Sequence, residues 1–87
     1  MRYEIEYTKK ANKGLKKIGL KIRRKIIDAI EEISLGKILN KDIKKLVNSD
    51  DQFRLRIGEY RIIYEYIHGE LIVLVVNVDV RGSVYRW

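Results

Sequence analysis

The stretch Arg54-Leu55-Arg56-Ile57-Gly58-Glu59-Tyr60-Arg61-Ile62-Ile63-Tyr64-Glu65 decides how this chain is read. Apolar and polar residues alternate on either side of Gly58-Glu59, the pattern of two β-strands joined by a two-residue turn. Gly58 supplies the positive φ that a type II′ turn needs at its first central position. That register sets Ile57 opposite Tyr60 and Arg56 opposite Arg61, and the period of two puts Arg54 on the same face as Arg56. Three guanidinium groups then share one patch. Like charges directly opposite each other destabilise a sheet by up to about 1 kcal/mol, so the pattern implies either full solvation or a bound polyanion. Tyr60, Tyr64 and Tyr66 fall on the opposite face and read as core.

Composition narrows the partner. The 87 residues make one domain, 1–87, with room for a single core. Nineteen Lys and Arg against twelve Asp and Glu give a net charge of +7 and a pI near 9.7, which favours a polyanion and nucleic acid first. There is no Cys, which removes disulfides and thiolate chemistry, and one His among scattered carboxylates makes a poor metal site. No cofactor is expected. No apolar run approaches the roughly 18 to 20 residues of a spanning helix, so the chain reads as soluble and cytoplasmic, without a membrane partner.

Working outward from the hairpin, Arg2 to Tyr7 alternates with Tyr3, Ile5 and Tyr7 on one side and reads as a first strand. Thr8 is placed to cap a helix beginning at Lys9. Ala11, Leu15 and Ile18 form the stripe of that short amphipathic helix over Lys9 to Ile18, ending at Gly19. Ile22, Ile26, Ala29, Ile30 and Ile33 mark a longer helix that stops near Gly36. The outer faces of this helical hairpin carry Lys9, Lys10, Lys13, Lys16, Lys17, Lys21, Arg23, Arg24 and Lys25, a density that either solubility or phosphate binding explains. Asn40 to Val47 suggests a further helical turn or two with Ile43, Leu46 and Val47 inward, and Asn48 to Asp51 a polar loop. After the arginine hairpin, a tight turn at His68-Gly69 leads to a strand over Glu70 to Val78. Its stretch Leu71 to Val76 is apolar on both faces, the mark of a central strand covered on both sides. One cover is the helices; the other side is a candidate groove floor. The result is an α+β domain of order β-α-α-β-β-β, a helical hairpin on a small, mainly antiparallel four-stranded sheet.

The segment Leu55-Arg56-Ile57-Gly58-Glu59-Tyr60-Arg61-Ile62-Ile63-Tyr64, the preceding Lys45-Leu46 and the ending Arg81-Gly82-Ser83-Val84-Tyr85 resemble the RelE/ParE superfamily of toxin–antitoxin toxins over nearly the whole chain. The resemblance implies a RelE-like, microbial-RNase-like fold. It also implies a toxin that binds the ribosomal A site and cuts messenger RNA there without a metal, using the RNA's own 2′-hydroxyl, and that a RelB-like antitoxin holds inactive. Arg61 looks like the family's hairpin arginine at the scissile phosphate, Arg81 like the arginine that assists it, and Tyr85 like the tyrosine that stacks on a base or positions the 2′-hydroxyl. Arg54 and Arg56 stand where ribosome-dependent members carry lysines. A buried Lys can lose its proton and act as a base, whereas Arg stays charged, so the proton acceptor is unassigned.

The residues fit that chemistry on their own physics. Attack on a phosphodiester builds charge on the phosphoryl oxygens, which preorganised arginines stabilise. Arg54, Arg56, Lys16, Lys17, Lys21 and Arg24 are the candidate RNA-binding cations. Each also has a plainer explanation: Arg54 and Arg56 as solvated or paired with a carboxylate, Tyr85 and Trp87 as covers for the rim of the core. His68 lies seven residues along the strand from Arg61, roughly 23 Å at 3.3 Å per residue, and reads as a turn residue. Two other functions share the same features. One is a ParE-like toxin that binds DNA gyrase and cuts no RNA; the other is a non-catalytic basic module bound to ribosomal RNA.

Overall fold

A computed structural model of the chain describes residues 2–47 and 49–80. The elements run β1 (Glu4–Tyr7), α1 (Lys9–Lys16), α2 (Leu20–Ser34), β2 (Asp42–Lys45), β3 (Gln52–Ile57), β4 (Tyr60–Ile67) and β5 (Ile72–Val80). The strands form one five-stranded sheet in the order β1-β5-β4-β3-β2. Every pairing is antiparallel except that of β1 with β5.

The arginine hairpin forms as its sequence dictates. Ile57 pairs with Tyr60 and Arg56 with Arg61, and Gly58 takes φ +58°, the left-handed value that the first position of a type II′ turn requires. The β4–β5 connection is longer than a two-residue turn: His68–Glu70 makes a 3-10 turn and Leu71 takes a left-handed conformation at φ 55°. Strand β5 therefore starts at Ile72.

The segment expected as extra helix is a strand. Asp42–Lys45 pairs antiparallel with Phe53–Arg56 of β3, which makes the sheet five-stranded instead of four. Ile43 packs against the core from this edge, but Val47 is 86% exposed rather than inward. Apolar residues at Ile43, Leu46 and Val47 have helical spacing, yet four residues beside an unpaired strand edge gain more from ladder hydrogen bonds than from one isolated helical turn.

Both helices lie on one face of the sheet. Thr8 caps α1, its Oγ1 accepting from Ala11 N–H at 3.0 Å and donating to the Val76 carbonyl at 2.7 Å. Gly36, at φ 83°, ends α2 in a Schellman arrangement, with Gly36 N–H bonded to Ile33 and Lys37 N–H to Glu32. The core joins Ala11, Leu15, Ile18, Ile26, Ile30 and Ile33 of the helical layer to Leu55, Ile62, Tyr64, Val73, Val75 and Val78 of the sheet.

A β-bulge sets the other face. Ile63 pairs with Asn77 but Tyr64 with Val75, so Val76 is an extra residue in β5. The insertion keeps Val75 and Val78 both on the helix side. It also turns Asn77 and Asp79 to the open face, beside Ile63 and Arg61. The Val76 carbonyl freed from the ladder is the one that Thr8 satisfies.

Candidate phosphate-binding site

The register aligns four charged residues across the open face, from the sheet edge inward: Asp42 on β2, Arg56 on β3, Arg61 on β4 and Asp79 on β5. The next row holds Lys44, Arg54, Ile63 and Asn77. Two carboxylates thus flank three arginines, which answers how like charges are tolerated opposite each other. Asp42 bonds two of them: Arg54 Nη2 lies 3.2 Å from Oδ1 and Arg56 Nε 3.5 Å from Oδ2. The Arg54 side chain is only 19% exposed, whereas Arg56 and Asp42 are 45% and 46% exposed. Two guanidinium nitrogens of Arg61, Nε and Nη1, are withdrawn from solvent.

This arrangement suits exchange of anions. A half-exposed ion pair contributes about 0 to 1 kcal/mol net, so Asp42 holds its arginines in place without holding them tightly. A phosphate offers more acceptor oxygens and can take bidentate hydrogen bonds from each guanidinium. The plainer explanation of Arg54 and Arg56, pairing with a carboxylate, is therefore what the unliganded site does, and the carboxylate is an Asp on an unforeseen strand.

Of the helical cations, Lys16, Lys17, Lys21 and Arg24 are all exposed, and one of them lines a groove. Lys17 faces a groove of about 210 Å³ between α1 and β5, lined also by Lys10, Lys13, Gly14, Ile18, Asn77, Val78 and Asp79. Lys16, Lys21 and Arg24 stand outside it. Arg23 is structural, its Nη2 donating to the Ile18 carbonyl at 3.0 Å across the turn between the helices. Gly14 explains how close the helix comes: a Cβ there would lie 2.1 Å from the Val78 carbonyl oxygen. Sequence reasoning counted Lys10 and Lys13 only among a general basic surface and missed Asp42, Asn77 and Asp79. The spacing of Lys10, Lys13 and Lys17 around Gly14 was the available signal.

Arg81, Tyr85 and Trp87 lie outside the described residues. Other titratable groups fall away from the arginines. Burial, reinforced by the neighbouring Tyr66 hydroxyl, raises the Tyr64 hydroxyl far above the usual tyrosine value. It stays protonated in the core. Burial also raises Tyr7 and Tyr66. His68 is held at the opposite end of the sheet, hydrogen-bonded to the Tyr3 hydroxyl at 2.8 Å, 3.4 Å from Asp51 and stacked on Tyr66. Among the described residues no three His, Cys, Asp or Glu side chains gather in a metal-ligand cluster, and no helix is long and apolar enough to cross a membrane.

The family described as the ParE toxin of type II toxin–antitoxin systems matches residues 5–85. The chain belongs to the RelE/ParE superfamily of type II toxins. A Methanocaldococcus jannaschii protein provisionally named the toxin RelE1 is 28% identical over 88 residues, covering 99% of this chain and 98% of its own. The toxin in the RelB–RelE complex from Methanococcus jannaschii is 32% identical, with a TM-score of 0.75 over 92% of this chain and 94% of that one. The archaeal RelE–RelB complex from Pyrococcus horikoshii aligns at a TM-score of 0.77 over 97% of this chain and 100% of that one; at 24% identity this likeness shows the fold. Within the superfamily the chain is a RelE-like toxin.

Proposed function

We propose that this toxin is a ribosome-dependent endoribonuclease that cuts messenger RNA in the A site and is neutralised by a RelB-like antitoxin. The observation that carries the proposal is the direct cross-strand pairing of Arg56 with Arg61, with Arg54 beside them. In the reaction, the 2′-hydroxyl oxygen attacks the adjacent phosphorus and loses its proton. The 5′-oxygen of the next nucleotide leaves and gains one, giving a 2′,3′-cyclic phosphate and a free 5′-hydroxyl. Arg61 binds the scissile phosphate and stabilises its growing charge, with Arg81 assisting and Tyr85 stacking on a base or positioning the 2′-hydroxyl. Arg54 and Arg56 move from Asp42 to the phosphate, and Lys16, Lys17, Lys21 and Arg24 hold flanking backbone. Arginine cannot take the proton, so the ribosome supplies part of the acid–base chemistry.

Toeprint mapping on programmed ribosomes tests this. Cuts at the A-site codon are expected with the native toxin, with a loss of about 10²- to 10³-fold for Arg61→Ala, the usual effect of deleting one such donor. A comparable loss is expected for Arg81→Ala. Equal cutting of naked RNA counts against ribosome dependence. The Methanococcus jannaschii and Pyrococcus horikoshii relatives are found in complexes with RelB, and an acidic amphipathic antitoxin helix would complement a charge of +7.

A second reading comes from the matched family, which is that of ParE toxins. A gyrase-directed toxin cuts no RNA and needs no proton acceptor, which suits arginine at positions 54 and 56. Inhibition of gyrase supercoiling together with intact messenger on ribosomes would transfer the assignment.

A further inference from the structure

We infer that the groove between α1 and β5 is a second RNA-backbone subsite, continuous with the arginine row and serving nucleotides that flank the scissile phosphate. The inference rests on the nuclease reading for the identity of the polyanion and goes beyond it in naming where the flanking strand lies. Lys10, Lys13 and Lys17 occur at i, i+3 and i+7, one face of α1 and its C-cap residue, and all three line the groove. At 1.5 Å rise per residue they span ~10 Å, longer than a single phosphate group. None of the three forms an ion pair among the described residues, whereas Lys41 and Lys45 elsewhere do. Three lysines and one acidic residue, Asp79, line the groove, so its lining carries a net positive charge.

Continuity comes from β5. Asp79 lines the groove and is the cross-strand partner of Arg61. Asp79 itself faces away from α1, but among the described residues β1 pairs with β5 only as far as Val75, so a strand bound at Arg61 reaches the groove by crossing the β5 edge beside Asp79. The floor, made by Gly14, Ile18 and Val78, is apolar and suits the faces of ribose rings. Gly14 matters twice: it lets α1 approach the β5 backbone, and it leaves the floor free of a side chain between the lysines.

The test uses the intact toxin and a short single-stranded 2′-O-methyl RNA, which binds but lacks the attacking hydroxyl. Affinity is measured across salt concentrations for the native chain and for three variants. The first is Lys10→Gln/Lys13→Gln/Lys17→Gln. The second is Lys9→Gln/Lys25→Gln/Lys37→Gln, which loses the same charge outside the groove. The third is Arg61→Gln. Each phosphate contact on single strands contributes ~0.7 to the slope of log affinity against log salt, so losing three lowers the slope by ~2 and the affinity by about 100-fold at about 0.1 M salt. That loss is expected for the groove variant, with a change below one contact for the second. Equal losses in these two variants overturn the inference, since net charge alone would then explain binding. Unchanged binding in the groove variant with a loss in Arg61→Gln also overturns it, while leaving the nuclease reading intact. If the native chain ignores RNA but binds an oligo-aspartate peptide through the same lysines, the occupant is an acidic protein segment. The inference then falls together with the RNA reading.

Discussion

The two faces of the sheet are built from the same strands and behave as opposites. Leu55 and Arg56 are neighbours in β3, yet Leu55 is buried against the helices while Arg56 stands half-exposed beside Asp42. On the helix side, shape decides: side chains are apolar and packed, and any change of volume is felt. On the open side, charge decides: Asp42, Arg56, Arg61 and Asp79 set two arginines between two carboxylates across four strands. Apolar packing is concentrated on one face and charge on the other, so the second can vary without unfolding the first.

The sharpest way to break this division is to cut both neighbours. Leu55→Ala is expected to cost about 2 to 5 kcal/mol of stability in a urea titration, while Arg56→Ala costs under about 1 kcal/mol yet weakens RNA binding. Similar losses of stability would show that the open face also carries the fold. Next in size is Gly14→Ala. The added methyl gains about 1 kcal/mol of helix propensity, but it meets the Val78 carbonyl at 2.1 Å, and overpacking of this kind costs about 1 to 3 kcal/mol. A net loss in thermal denaturation is expected. Gly58→Ala should cost about 1 to 2 kcal/mol, entirely through backbone conformation, because nothing lies within 4 Å of the new methyl.

Asp42→Asn separates the two faces in the other direction. Stability should change by under about 1 kcal/mol, while released Arg54 and Arg56 gain the equivalent of one phosphate contact, about fivefold in RNA affinity at about 0.1 M salt. Weaker binding would mean that Asp42 serves mainly to orient the arginines. The smallest effect at neutral pH belongs to Tyr64. Its folded-state pKa lies above the unfolded value near 10, so the neutral hydroxyl carries no penalty below about pH 10. Above that pH the unfolded chain ionises first, and stability falls as pH rises toward the folded value. Tyr64→Phe should flatten the alkaline limb of the stability curve, and tyrosinate absorbance should show a late-ionising group disappear.

The hairpin, both helix stripes, the Thr8 cap and the end of α2 near Gly36 were legible because each is a local rule: a turn that needs glycine, a period of two or 3.6, a side-chain acceptor. Strand β2 was not, since only Ile43 in Asp42–Lys45 is apolar and the surrounding spacing imitates a helix. Its identity comes from β3, whose free edge it completes. The bulge at Val76 was equally hidden, and with it the placing of Asn77 and Asp79, because strict alternation from Val73 and Val75 would bury Asn77. Arg56 opposite Arg61 was legible from the turn alone. The lysines of the groove were visible as a basic face, but which part of it met β5 depended on the contact at Gly14 between elements far apart in sequence.

That contact, and the parallel pairing of β1 with β5, also govern when the molecule exists. Translation delivers β1, both helices and the arginine hairpin first, yet β1 has no neighbouring strand and α1 lacks the strand it mainly packs on until residues 72–80 have been made. Such long-range closure slows folding relative to a chain of local contacts. The nascent chain thus completes neither its core nor its charged row until synthesis reaches β5, and a partner made alongside it meets a polypeptide that has only just closed its sheet.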